Sequence, residues 1–145
     1  MGARSRGGAT RSARRYHGRR RVIHLDTSFL IRALVAGSAQ DQELRSWISD
    51  GEVLGMSAVA WAEFLCGPLR SSALELAADL IGPPTEFTPG EAALAARLFN
   101  DSGRRRGSLL DCMIAATALG EGAQIATVNV KDFRRFEPFG LRLAC

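Results

Sequence analysis

At 145 residues and 46% hydrophobic content the chain suits one globular domain, and no run of it approaches the ~20 apolar residues of a membrane span. Its net charge of +4 is uneven: residues 1–21 hold eight arginines and no acid, so nineteen basic groups less those eight leave eleven against fifteen acids, a body at −4, and the total supports no nucleic-acid reading of the folded part. Three cysteines (Cys66, Cys112, Cys145) without a CxxC pair exclude a zinc ribbon and a disulfide framework, and His24 and Asp26 break the apolar run a secretory leader needs, so a reduced, cytoplasmic setting is expected.

Residues 1–21 are rich in Gly, Ser and Arg and are expected to be disordered, because they lack the apolar surface that would offset ordering. An RNA-attracting arm, an organelle transit peptide and an incidental extension compete for this segment. The last is preferred, since a solvated charge run needs no function. The folded domain is expected over residues 22–145. Val22–Asp26 reads as a buried strand, and Thr27–Ala36 and Asp41–Ile48 as helices. Asp50-Gly51 marks a turn before a strand at Val53–Met56. Ser57–Cys66 reads as a helix stopped by Gly67-Pro68. Leu74, Leu76, Ala77, Leu80 and Ile81 mark a further helix ended by Gly82-Pro83-Pro84, and Thr85–Phe87 a short strand. Thr88-Pro89-Gly90-Glu91 combines an N-cap, a first-turn proline and an acid at the capping-box position, opening a helix that runs through Phe99. A helix at Ser108–Leu119, a strand at Gln124–Val128, a short helix at Asn129–Arg135 and a strand at Leu141–Ala144 complete the order. Strands alternating with helices imply an α/β fold, a three-layer α/β/α sandwich on a mostly parallel sheet.

Sites in such sheets gather at the carboxyl ends of strands. Asp26 ends the first strand, Asp111 opens a helix, and Asn129 and Asp132 follow the fourth apolar run. Glu63 lies among Val59, Ala60, Trp61, Ala62, Phe64 and Leu65, where burial of a carboxylate requires a cation or a proton. Each acid also has an ordinary explanation. Asp26 suits a helix cap, Ser108-x-x-Asp111 and Asn129-x-x-Asp132 have capping-box spacing, and Glu63 suits a solvated helix face. Acids converging at one sheet end would repel one another without a cation, and oxygen ligands without Cys or His favour Mg²⁺ or Mn²⁺. Such a site suits phosphate-ester hydrolysis, in which metal ions activate a water and stabilise the leaving oxygen. His24, two residues before Asp26, is expected to pack in the sheet. No GxSxG, P-loop or GxGxxG is present.

The runs LDTSFLI around Asp26, WAEFLCG around Glu63, SLLDCMIAATAL around Asp111 and the closing IATVNVKDF together resemble the PIN-domain ribonucleases, and among these the VapC-type toxins of toxin–antitoxin pairs. The likeness runs in order from Val22 to the C-terminus. It implies an acidic, Mg²⁺-dependent site, endonucleolytic cleavage of RNA, inhibition by a cognate antitoxin protein, and a homodimer. Carried over by residue, Asp26, Glu63 and Asp111 match the family's first three metal-site acids and thus the catalytic set. Thr127 matches the hydroxyl residue at the end of the fourth strand, and Ser28 a polar residue beside the first acid. The sequence departs at Asn129, where many members carry an acid; an amide oxygen can ligate but brings no charge, which puts a second metal in doubt.

Arg104-Arg105-Arg106, in the loop before Asp111, is the candidate RNA contact, with Arg134-Arg135 a second such pair. Trp47, Trp61 and Phe64 read as core, or alternatively as a partner face. The rival to an RNA-cleaving toxin is a PIN-like protein- or RNA-binding module with a weakened site, which Asn129 keeps open. A phosphate-accepting receiver domain fits poorly, because Lys131, the one lysine of the chain, lies past its strand.

Overall fold

In a computed structural model of the protein, residues 20–144 are described. The expected disorder of the Arg-rich extension falls outside those residues, apart from Arg20 and Arg21. Arg21 is already part of the domain. Its backbone N–H donates to Glu52 Oε2 at 2.6 Å, its Nε to Glu52 Oε1 at 3.1 Å, and its carbonyl accepts from the N–H of Val53.

Three parallel strands, β1 (Val22–Leu25), β2 (Val53–Gly55) and β3 (Gln124–Ala126), lie in the order β2-β1-β3. β1, from the apolar run VIHL, is central, and Ile23, His24 and Leu25 are buried, as expected where both sheet faces are covered. His24 faces Gly55 across the β1–β2 ladder, and a β-carbon at Gly55 would meet the imidazole at 3.1 Å. The glycine therefore gives this buried ring its room.

Seven helices cover the sheet among the described residues: α1 (Thr27–Ala33), α2 (Ala39–Ser49), α3 (Ala58–Leu65), α4 (Ser71–Ile81), α5 (Pro89–Asp101), α6 (Leu109–Gly120) and α7 (Val130–Arg134). The arrangement is the expected α/β/α sandwich. α2 starts two residues before the expected Asp41, because the Ser38 side chain caps it by accepting from the N–H of Asp41. α5 opens with the full capping box of Thr88 and Glu91. α6 is buried over Cys112 and Ile114–Ala118, and its alanines allow close approach to the sheet.

Two expected strands are not formed as strands. Thr85–Phe87 contributes a single parallel bridge, Ser57 to Thr85, and Leu141–Ala144 a single bridge, Ile125 to Leu143. Both runs sit at the edges of a sheet whose β2 and β3 are only three residues long, so there is little ladder to extend. β3 also stops at Ala126, two residues before the expected end, where the backbone turns toward α7. Phe29 stacks on Trp47, and Phe64 is fully buried, so Trp47 and Phe64 belong to the core; Trp61 is partly buried and stacks on Phe64. No helix among the described residues is long and apolar enough to cross a membrane.

Candidate active site

The parallel pairing of β1 with β3 brings their carboxyl ends together, and the N–H of Asp26 donates to the Ala126 carbonyl at 2.9 Å. Asp26 is buried, 5% exposed. Its backbone occupies the cap position of α1, with its carbonyl accepting from the N–H groups of Phe29 and Leu30, yet its carboxylate makes no cap bond. The ordinary explanation for Asp26 thus fails. Instead Oδ2 accepts from the Ser28 hydroxyl at 2.7 Å and from the Thr127 hydroxyl at 2.8 Å. Those hydroxyls are themselves held: Ser28 Oγ accepts from the N–H of Val128 at 3.2 Å, and Thr127 Oγ1 from the N–H of Asn129 at 3.0 Å. Loop backbone, hydroxyls and carboxylate form one relay that fixes the Asp26 rotamer.

Glu63 comes from α3, whose buried side is Ala60 and Phe64. The helix is tied to the start of α1 by the Thr27 hydroxyl, which donates to the Ala60 carbonyl at 2.8 Å. Glu63 is exposed as a residue, and so are Ala62 and Leu65, so its apolar neighbours in sequence do not imply a buried carboxylate. Its carboxyl nevertheless titrates above the usual range, through partial burial and the negative charges of Asp26 and Asp111. Asp111, in the first turn of α6, is pushed up to about 6, by burial first, then by Asp26 and Asp132, against the opposing pull of Arg135 and Arg105. The ends of β1, α3 and α6 therefore hold carboxylates that feel one another.

Both proposed capping boxes at this end are absent. Ser108 makes no cap bond; its hydroxyl donates to the Arg105 carbonyl at 2.6 Å, which pins the arginine loop. The Asn129 side chain makes no cap bond and is exposed, while Asp132 pairs with Arg105 at 3.0 Å. Arg104 and Arg106 are exposed in the same loop, Arg104 with a left-handed backbone at φ 54°. Arg134 and Arg135, read as an equivalent pair, part company. Arg134 is exposed, whereas Arg135 turns inward, its side chain 15% exposed and its Nη2 3.8 Å from Asp111 Oδ2. Sequence reasoning missed this role, because two adjacent arginines carry no signal of which one faces inward. Only the buried Phe133 and Phe136 on either side set the phase.

The donor set is all oxygen, and the elevation of Glu63 and Asp111 by neighbouring carboxylates is what a cation would relieve, so the residues fit a hard divalent ion. Among the described residues no three His, Cys, Asp or Glu side chains meet as a closed ligand cluster. A cavity of about 300 Å³ lies elsewhere, at the opposite end of β3, lined by Leu119, Ala123, Gln124 and Arg142.

The PIN domain family profile matches residues 23–137. The chain belongs to the PIN domain family. Among solved structures it is similar to VapBC2 from Rickettsia felis bound to a promoter DNA fragment, with a TM-score of 0.67 and 19% identity over 84% of this chain and 96% of that one. It is also similar to VapBC-1 from nontypeable Haemophilus influenzae, with 0.62 and 22% over 84% and 96%. A toxin–antitoxin complex from Klebsiella pneumoniae gives 0.63 and 22% over 78% and 89%. A comparison with curated proteins returns no match. The PIN fold accounts for the layout just described, a parallel sheet with acids at its carboxyl end.

Proposed function

We propose that this PIN-domain protein is a Mg²⁺-dependent endoribonuclease, with Mn²⁺ as the alternative ion, and the toxin of a toxin–antitoxin pair. The observation that carries the reading is the gathering of Asp26, Glu63 and Asp111 at one end of the sheet, with the charge of Asp26 raising both Glu63 and Asp111. These three are the proposed catalytic and metal-binding acids, and Ser28, Thr127 and Asn129 the supporting polar groups. Asp26 is the anchor, since two hydroxyls fix its orientation before any ligand arrives. A divalent cation held by these acids would supply an activated water and charge stabilisation at the departing oxygen. Arg104, Arg105 and Arg106, at the start of the Asp111 helix, would take the RNA phosphates.

The similarity to VapBC assemblies supports an antitoxin partner in a cytoplasmic setting. Exposed aliphatic side chains on and beside α1, α2 and α3 (Ile31, Val35, Ile48, Leu65) support contact with that partner or with a second copy as a homodimer. Asn129 favours one other reading, a weakened PIN module that binds protein or RNA without cutting. RNA cleavage with and without EDTA separates the two. The nuclease reading expects cleavage that EDTA abolishes and that Asp26→Asn and Asp111→Asn each reduce by about a hundredfold or more. Variants that cut as well as the wild type would refute the assignment.

A further inference from the structure

The two hydroxyls that follow Asp26 go to different places. Ser28 donates back to Asp26 Oδ2 at 2.7 Å and accepts from the N–H of Val128, so it serves the β3 side of the site. Thr27 donates instead to the Ala60 carbonyl of α3 at 2.8 Å, 33 residues away in sequence. Successive residues of a helix point about 100° apart, so the first turn of α1 can hold both neighbours at once. Ala60 is fully buried in an eight-residue helix, and Glu63, three residues on, is its neighbour along the helix surface. A carbonyl oxygen has two lone pairs, so the Thr27 bond adds to the helix ladder without breaking it. Among the described residues the Glu63 carboxyl has no hydrogen bond or ion pair of its own, so the helix that carries it sets its place.

We propose that Thr27 is a positioning residue of this site: its hydroxyl fixes the spacing between Asp26, its neighbour in the chain, and Glu63, one turn beyond its acceptor. The hydroxyls of Ser28 and Thr127 orient one acid, and that of Thr27 sets the distance between two. Small divalent ions demand near-ideal oxygen geometry, so the spacing of two carboxylates that share one is part of the affinity. Thr27 acts through α3 and touches neither the ion nor the substrate. The proposal rests on the metal-dependent reading above and specifies it further.

Binding of Mn²⁺ to the full chain, read from the free-ion signal in electron paramagnetic resonance, tests this in a double-mutant cycle. Thr27→Val keeps the shape and deletes the donor, and is expected to bind Mn²⁺ about tenfold more weakly than the wild type. Thr27→Ser, which keeps the hydroxyl, is expected to stay with the wild type. In a Glu63→Ala background, Thr27→Val is expected to change affinity by less than about twofold, because the group whose place it set is gone. Thr27→Val with wild-type affinity would overturn the proposal, and so would an equal loss with and without Glu63, which is the mark of general damage. If Thr27→Val does not fold, Thr27→Ala takes its place in the cycle. Failure of both to fold would also overturn the proposal, since the hydroxyl would then serve the fold and not the acid. No Mn²⁺ binding by the wild type would overturn the metal-dependent reading, and this role with it.

Discussion

His24 and Asp111 show how single side chains at this end of the sheet bear on stability, and they act in opposite senses. His24 is buried, and loss of hydration lowers its pKa from 6.5 to about 4. The unfolded chain therefore takes up a proton that the folded protein refuses. The stability contributed by neutral His24 is full above pH 6.5 and is lost as pH falls toward 4, roughly 3 kcal/mol in all. Asp111, raised from 3.8 to about 6, holds its proton more tightly in the folded state, so its ionisation withdraws roughly 2–3 kcal/mol as pH rises across that interval. In EDTA, Asp111→Asn should match the wild type in its pH-linked stability near pH 4 and gain on it by roughly 2–3 kcal/mol at pH 7. His24→Leu should instead gain on the wild type as pH falls from 6.5 to 4, whatever constant offset its packing adds. Urea denaturation at several pH values checks both, and parallel curves for wild type and variants would refute the assigned charges. Residue type alone suggested candidate acids; their repulsion required knowing that the end of β1, α3 and the start of α6 come together.

At the scale of elements, local chemistry was legible where the chain satisfies itself over a few residues. Thr88 and Glu91 form their capping box because both partners lie within one turn, with the Thr88 N–H donating to Glu91 at 3.0 Å. Thr88→Ala should cost about 1 kcal/mol in chemical denaturation and leave metal binding unchanged. An unchanged midpoint would show that the cap is redundant. Ser108 has the same spacing to Asp111, yet its hydroxyl goes to the Arg105 carbonyl. Asp132, spaced to pair with Asn129, goes to Arg105. Ser108 turns back three residues to the arginine loop and Asp132 reaches it across 27, so in both cases a partner in that loop takes the place of the cap. The strands at Thr85–Phe87 and Leu141–Ala144 failed for a related reason. Apolar alternation reports a wish to be buried, while ladder length depends on the neighbour strand.

For the whole molecule, the negative charges that raise Glu63 and Asp111 mean that the protein without cation carries repulsion at this end of the sheet. Mg²⁺ or Mn²⁺ should raise the melting temperature, by several degrees at saturating concentration, and Asp111→Asn should lose most of that gain while melting higher than the wild type in EDTA. A melting temperature indifferent to both ions would argue against a metal at this end of the sheet. The Arg-rich extension should contribute nothing to either effect. Among the described residues Arg21 is the first tied to the domain, through Glu52 and Gln124. A chain begun at Arg20 should therefore keep the wild-type melting temperature and ion response. A loss of either would assign the extension a role in the domain.

The sequence by itself determined the α/β order, the parallel sheet and the uneven charge, and it named the candidate acids, because these depend on periodicity, composition and motifs carried along the chain. Only the tertiary structure decided which partner each polar group takes. It gave the Asp26 carboxylate to the Ser28 and Thr127 hydroxyls, one of them more than a hundred residues away in sequence, instead of to the helix it caps. It turned Arg135 inward and Arg134 outward. Hydrogen bonds and ion pairs act over a few ångströms of space, and neighbours in space at the end of a sheet are set by how strands and helices pack, which no local window of sequence contains.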